Sequence, residues 1–186
     1  MTIHKTDIEG LLIIEPRVFR DERGYFCESY NQQVFEQYQL NTRFVQDNQS
    51  KSVRGVVRGL HYQLNPFAQT KLVRVLQGVI WDVAVDIRKG SPTFGKWCGV
   101  ELSDENMSQL FIPKGFAHGF SVLSETAVVF YKCDHFYNPE YERGIRLDDQ
   151  GLSIDWKIAR DEMILSSRDS GLPAFADSEM NFEITK

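Results

Sequence analysis

The chain has 186 residues, of which 42% are hydrophobic and 25% charged, and its formal net charge is −5. This length and composition predict one soluble globular domain over residues 1–186. The negative charge argues against a nucleic-acid surface, and no apolar run approaches the roughly 20 residues that a membrane-spanning helix needs.

The N-terminal segment and the cysteines predict a cytoplasmic location. The first 12 residues carry Lys5, Asp7 and Glu9 and lack the basic-then-apolar pattern of a signal peptide. The three cysteines are odd in number, far apart in sequence and in no C-x-x-C arrangement, which favours reduced thiols.

Short segments of alternating hydrophobicity dominate the chain, and glycine- and proline-containing turns separate them. We expect strands over Leu11–Glu15, Tyr25–Tyr30, Val53–Gln63, Lys71–Gln77, Trp81–Arg88, Trp97–Leu102, Gln109–Ile112, Gly119–Leu123 and Ala127–Lys132. One helix is expected over Gln32–Leu40, after an Asn31 cap. Many short strands indicate an all-β sandwich or jelly-roll barrel. The less regular tail from Gly151 would pack on that barrel.

The clearest strand pattern is Trp81–Arg88. Trp81, Val83, Val85 and Ile87 share one face, and the polar residues that alternate with them share the other. This period of two predicts a half-buried strand.

Two of the four histidines have glycines and cationic residues close to them in the sequence. His61 follows Arg58, Gly59 and Leu60, and strict alternation predicts that Arg58 and His61 face opposite sides. His118 lies in Ile112–Phe120, a segment that is apolar apart from His118 and Lys114. A buried, hydrogen-bonded histidine is the plain interpretation of each, although the neighbouring glycines and cations improve the case for function.

Other chemistries have little support. There is no H-x-H or H-x-x-x-H pair, so we expect no metal site. No G-x-S-x-G elbow, phosphate loop or dinucleotide fingerprint occurs either, so we expect no nucleophilic serine and no cofactor.

Four cationic residues have apolar or aromatic neighbours in the sequence: Arg23, Arg58, Lys71 and Arg168. Each alone would be interpreted as a surface residue. Together they suit the binding of a pyrophosphate and the stabilisation of a developing oxyanion.

Several segments together resemble the dTDP-4-dehydrorhamnose 3,5-epimerase family, whose fold is the cupin jelly roll. They occur in order to about residue 175 and are Phe44–Asn48, Arg58–Gln63, Asp82–Arg88, Ile112–Phe120, Tyr131–Lys132 and Leu165–Asp169. The resemblance implies an all-β cupin jelly-roll barrel with a few short helices and a C-terminal extension. Two positions depart from the family pattern: Gln49 within Asp47–Ser50, and Cys27.

The resemblance also implies roles for residues. His61 is similar to the family's base, Asp169 to its dyad partner, Tyr131 to the proton donor and Lys71 to the group near the ketone oxygen. The residues that resemble the ligand-contacting set are Arg23, Glu28, Gln46, Asp47, Asn48, Arg58, Lys71, His118, Glu142 and Arg168.

The implied activity is inversion of carbons 3 and 5 of a dTDP-4-keto-6-deoxyhexose, through an enolate and without metal or cofactor, by a homodimer in rhamnose-type deoxysugar biosynthesis. A 4-ketone acidifies the protons on both carbons, so a base, an acid and an oxyanion stabiliser suffice. Three alternatives stay open: an epimerase for one centre or for a GDP- or CDP-linked sugar, a non-catalytic sugar-nucleotide-binding cupin, and a metal-dependent cupin oxygenase.

The missing ligand cluster and dinucleotide fingerprint generate a first prediction. We expect epimerase turnover to survive exhaustive EDTA treatment and to need no added NAD, because proton transfer needs neither. Turnover that chelation abolishes and one added metal restores would contradict this.

Overall fold

The computed structural model describes residues 1–184. Its strands are β1 (Thr2–Lys5), β2 (Leu12–Glu15), β3 (Val18–Asp21), β4 (Gly24–Cys27), β5 (Gln46–Val53), β6 (Val57–Gln63), β7 (Lys71–Gln77), β8 (Val79–Asp86), β9 (Trp97–Ser103), β10 (Gln109–Ile112), β11 (Phe116–Val122), β12 (Thr126–Cys133) and β13 (Glu142–Gly144). Two short helices accompany them, α1 (Gln32–Gln37) and α2 (Ser167–Ser170), with 3₁₀ turns at Pro139–Tyr141, Arg160–Glu162 and Phe175–Asp177. The predicted all-β class is confirmed.

The strands form two facing antiparallel sheets and a separate hairpin. One sheet has the order β1-β2-β10-β7-β12-β5, and the other has the order β13-β6-β11-β8-β9. Strand β3 pairs with β4 in a two-stranded sheet. Sequence neighbours are often separated within a sheet, since β7 lies between β10 and β12. This interleaving of strands is typical of a jelly roll rather than a simple meander.

The hydrophobic core has two main layers. Between the sheets lie side chains such as Val73, Ile80, Leu110 and Val129, all at 0% exposure. The second layer lies between the outer face of the β8-containing sheet and the C-terminal tail, whose Trp156 is 3% exposed. The tail therefore packs on the barrel, as expected.

Strand β8 shows what the tail changes. Trp81, Val83 and Val85 do share a face, which packs in the layer beneath the tail. Asp82 and Asp86, on the other face, are both 0% exposed. The predicted half-buried strand was wrong, because the tail covers one face and the opposite sheet covers the other.

The helix prediction is confirmed at its start and was too long at its end. The Asn31 side chain accepts hydrogen bonds from the backbone of Gln33 and Val34, and α1 ends at Gln37. The predicted strand Val53–Gln63 is in fact the end of β5, a turn and β6. Gly55 makes that turn with a φ of +87°, a conformation that favours glycine.

A β-bulge separates Arg58 from His61. His61 pairs with His118 and Arg58 pairs with Phe120, so two residues of β6 oppose the single residue Gly119 of β11. The extra residue shifts the alternation by one position. The prediction that Arg58 and His61 face opposite sides was therefore wrong.

Among residues 1–184, no helix is both long enough and apolar enough to cross a membrane.

The bulge predicts a strong effect of Gly59→Ala. Gly59 has a φ of +126°, and a Cβ there would lie 2.5 Å from the Cα of Gly119. We expect the free energy of unfolding to fall by at least about 3 kcal/mol, measured by chemical denaturation. Gly24→Ala is the matched control, because Gly24 has a φ of +129° with nothing within 4 Å of its added Cβ. If the two variants lose equal free energy of unfolding, the close approach of β6 to β11 does not account for the effect of Gly59→Ala.

Candidate active site

A cleft opens between the two sheets. Its larger compartment has a volume of about 470 Å³, and an adjoining one has about 220 Å³; His61, Lys71 and Tyr131 line both. Arg58, His118, Arg168 and Asp169 also line the larger compartment. Gln46, Asn48 and Glu142 line the smaller one. A cleft of this size with convergent polar groups is typical of a small-molecule site.

His61 and Asp169 form a tight pair at the wall of the cleft. The His61 Nε2 lies 2.6 Å from the Asp169 Oδ1, and Asp169 is buried while the His61 side chain is 27% exposed. Burial acts to raise the pKa of Asp169, but hydrogen bonds from His61 and Ser166 and the charge of Arg168 lower it overall. The carboxylate therefore accepts the Nε2 proton, which leaves Nδ1 of a neutral His61 ring able to accept another.

Helix α2 positions Asp169. The Ser166 hydroxyl caps this single turn by accepting a hydrogen bond from the Asp169 backbone N–H at 3.0 Å. The pair thus joins a strand residue to one that follows it by 108 positions. Sequence spacing alone gives no sign of such a contact.

Lys71 and Tyr131 lie on the sheet opposite His61. Lys71 begins β7 and Tyr131 lies on the neighbouring β12, with the Lys71 Nζ 5.9 Å from the centre of the Tyr131 ring. Burial lowers the pKa of Lys71, while Cys133, Asp82 and Glu142 act to raise it. Burial also raises the pKa of Tyr131, which keeps its hydroxyl protonated near neutral pH.

His118 is at the floor of the larger compartment. It is 7% exposed, pairs in register with His61, and its Nε2 lies 2.7 Å from the Asp82 Oδ1. Burial lowers the pKa of His118, although Asp82 acts to raise it. The lowered pKa favours a neutral ring at neutral pH.

Glu142 connects the two compartments. Its carboxylate pairs with Arg168 at 2.6 Å and accepts a hydrogen bond from the Tyr137 hydroxyl. Burial acts to raise the pKa of Glu142, but these two partners lower it overall. The ion pair holds α2, which carries Asp169, against β13, and the hydrogen bond from Tyr137 ties the preceding loop to the same carboxylate.

Three of the predicted ligand-contacting residues lie outside this cleft. Asp47 is on the outer face of β5, where it pairs with Lys132 at 2.9 Å, because alternation turns only Gln46 and Asn48 inward. Arg23 is at the tip of the β3–β4 hairpin and pairs with Asp21. Glu28 follows that hairpin and accepts a hydrogen bond from Asn31.

Four further polar residues line the cleft and were not predicted from the sequence. Ser50 and Ser166 line the larger compartment, and Gln69 and Tyr137 line the smaller one. Ser50 lies on the same face as Gln46 and Asn48, so alternation along β5 would have found it. Tyr137 lies in a loop, where no periodic pattern applies.

Comparison with known proteins shows the family of this chain. The dTDP-4-dehydrorhamnose 3,5-epimerase family model matches residues 5–177. The chain belongs to this family. A dTDP-4-dehydrorhamnose 3,5-epimerase of Shigella flexneri is 54% identical over 96% of this chain and 98% of its own.

Solved structures agree. A dTDP-4-dehydrorhamnose 3,5-epimerase from Elizabethkingia anophelis has a TM-score of 0.91 and 58% identity over 95% of this chain and 97% of its own. A dTDP-6-deoxy-D-glucose-3,5-epimerase from Legionella pneumophila, in complex with dTDP-4-keto-L-rhamnose, has a TM-score of 0.91 and 50% identity over 95% and 93%. A 3′-monoepimerase from Streptomyces bikiniensis, in complex with dTDP-quinovose, has a TM-score of 0.86 and 34% identity over 93% and 87%. The predicted cupin jelly roll and the family resemblance are confirmed.

The position of Arg58 at the cleft generates a prediction about affinity. We expect Arg58→Ala to weaken dTDP binding by roughly 10- to 100-fold, the scale of lost hydrogen bonds to a charged group. Isothermal titration calorimetry measures the affinity. Arg54→Ala is the matched control, because Arg54 is also exposed and bonds the Leu123 carbonyl away from the cleft. If Arg58→Ala lowers the melting temperature while the folded fraction binds dTDP normally, Arg58 is structural.

Proposed function

We propose that this family member inverts carbons 3 and 5 of a dTDP-4-keto-6-deoxyhexose with His61 as base and Tyr131 as acid. The observation that carries the proposal is the placement of His61 and Tyr131 on facing sheets of one cleft. Inversion requires that a proton leave one face of the sugar ring and return to the other. A base and an acid on opposite walls suit that requirement.

The first step is proton removal. The Nδ1 of His61 accepts the C–H proton next to the ketone, and the electron pair of that bond moves to the ketone oxygen as an enolate. Asp169 holds the ring by its Nε2 proton and stabilises the imidazolium that forms. The Lys71 ammonium faces the enolate oxygen and offsets its charge.

The second step is protonation on the opposite face. The Tyr131 hydroxyl gives its proton to the ring carbon while the enolate electrons return to form the new C–H bond. The phenolate then regains a proton and the imidazolium loses one through solvent, which restores the enzyme. The substrate and product have the same formula, so the cycle balances without a redox partner.

The cations of the larger compartment suit the diphosphate. Arg58 and Arg168 present guanidinium groups there, a geometry that matches phosphate oxygens. Gln46 and Asn48 in the smaller compartment offer amide groups for hydrogen bonding.

Inversion of both centres is favoured over inversion of one. The 3,5-epimerases of Shigella, Elizabethkingia and Legionella are 50–58% identical to this chain, whereas the 3′-monoepimerase is 34% identical. The relatives from Legionella pneumophila and Streptomyces bikiniensis both bind dTDP-linked sugars, which supports a dTDP-linked sugar over a GDP- or CDP-linked one. The presence of both a base, His61, and an acid, Tyr131, argues against a non-catalytic binding protein, because such a protein needs neither residue.

We propose in addition a homodimer in the cytoplasm. The β3–β4 hairpin exposes Phe19, Tyr25 and Phe26 at 51%, 54% and 68%, which is costly in water and suits contact with a second copy. In such a dimer the hairpin would bring Arg23 toward the partner's cleft.

The proposed cytoplasmic location rests on the cysteines. The free thiols of Cys27, Cys98 and Cys133 fit a reducing compartment.

Proton NMR in D2O with dTDP-4-keto-6-deoxyglucose tests the roles of His61 and Tyr131. Wild-type protein should incorporate deuterium at carbons 3 and 5 with inversion. His61→Ala should lower the rate at least about 10²–10⁴-fold, the usual contribution of a positioned base. Asp169→Asn should act in the same direction but less completely, because Asp169 orients the ring without accepting the substrate proton.

Tyr131→Phe separates the acid from the base. It keeps the ring and its packing, so the melting temperature and dTDP affinity should stay near wild type while inverted product is largely lost. Some exchange with retention should persist, because His61 can return a deuteron to the face it deprotonates. Inverted product at the wild-type rate would mean that Tyr131 is a core residue and that another group is the acid.

A further inference from the structure

We propose that Asp82 is a positioning residue that fixes the tautomer and orientation of His118 toward the ligand. This inference rests on the proposed function, since it takes His118 as a ligand contact. The sequence implies no role for Asp82, which lies on the polar face of its strand and begins one of the segments that resemble the family.

The backbone register brings Asp82 beneath His118. Asp82 pairs with Phe120 and Ala84 pairs with His118 on the adjacent strands β8 and β11. Asp82 and His118 are therefore diagonal neighbours on the face that points between the sheets. Their side chains meet at 2.7 Å, between the Asp82 Oδ1 and the His118 Nε2.

The environment of Asp82 is unusual for a carboxylate. It is 0% exposed, and within residues 1–184 its Oδ2 has no hydrogen-bond partner. A buried carboxylate oxygen without a donor destabilises a fold. The presence of a carboxylate at this buried position is explained if Asp82 positions a cleft residue and does not stabilise the fold.

Asp86 provides the contrast four residues along the same strand. It is also 0% exposed, but Arg88, Ser91 and Thr93 all donate to it at 2.6–2.8 Å. Asp86 thus anchors the loop after β8. Within the part of the chain that the structure describes, Asp82 has one side-chain hydrogen-bond partner, His118, and that partner lines the cleft.

The bond to Asp82 determines what His118 can offer a ligand. An ionised carboxylate accepts the Nε2 proton, so Nδ1 of the neutral ring carries the lone pair. His118 would then accept a hydrogen bond from a hydroxyl of the substrate. A ring without this tether would populate both tautomers and rotate, and ligand recognition would weaken.

The test uses Asp82→Asn and Asp82→Ala in the full chain. Nitrogen-15 NMR of the imidazoles, with His118 assigned through His118→Gln, reports the tautomer in the free protein. We expect the Nε2–H form in wild type, a mixture in Asp82→Ala, and an intermediate state in Asp82→Asn, which keeps a weaker neutral acceptor. Values of kcat/KM should fall in the same order, by roughly 10-fold for Asn and 100-fold for Ala, the scale typical of groups that orient a histidine.

Melting temperatures separate positioning from structure. Asp82→Asn should lower the melting temperature less than Asp86→Asn does, because it removes a carboxylate whose Oδ2 has no donor within residues 1–184, although it also removes one of the acidic groups that favour charged Lys71. Asp86→Asn, the matched control, should lower it while the His118 signals and the kcat/KM of the folded fraction stay unchanged.

Unchanged His118 nitrogen shifts in Asp82→Ala would overturn the proposal whatever the activity. So would a fall in melting temperature for Asp82→Asn that matches Asp86→Asn, with kcat/KM unchanged. If wild-type protein lacks epimerase activity, the proposed function fails, and the nitrogen shifts still decide the positioning role.

Discussion

The close approach of β6 and β11 is the constraint on which the cleft depends. Their backbones meet at Gly59 and Gly119, where a Cβ on either residue would lie 2.5–2.6 Å from backbone atoms of the other strand. Only glycine fits such a contact. The bulge it permits shifts the alternation of β6, so that Arg58 and His61 serve the same compartment. The site would lose one of these two residues in a regular ladder.

Electrostatics impose a second constraint, because the cleft holds charges that burial opposes. Burial disfavours the charged form of Lys71, and the acidic groups Asp82 and Glu142 compensate in part. Glu142 is in turn held ionised by Arg168. Removal of one of these groups therefore changes the others, and single substitutions in the cleft are not expected to be additive.

The sequence predicts the periodic part of the structure well and the contacts between distant segments poorly. Alternation located β7 and β10 to the residue, and the Asn31 cap located the start of α1. Alternation gave the wrong faces for Arg58 and His61, because a bulge interrupts β6. It also gave the wrong burial for β8, because the tail covers the face that would otherwise be exposed. For the site, the motifs around His61 and His118 carried the family resemblance. The pairing of Glu142 with Arg168 left no trace in the sequence, since it depends on where β13 and α2 meet.

The barrel explains how the cleft side chains are held. The face of β12 that carries Tyr131 also carries Val129, and the face of β7 that carries Lys71 also carries Val73. On the other sheet, Phe120 lies two residues from His118 on β11. Each of these polar groups is thus next to a residue packed between the sheets. A strand fixed by its apolar neighbours holds the polar side chain with little freedom, which catalysis by placed acids and bases requires. Loops supply the residues around the rim, and there the sequence pattern says least.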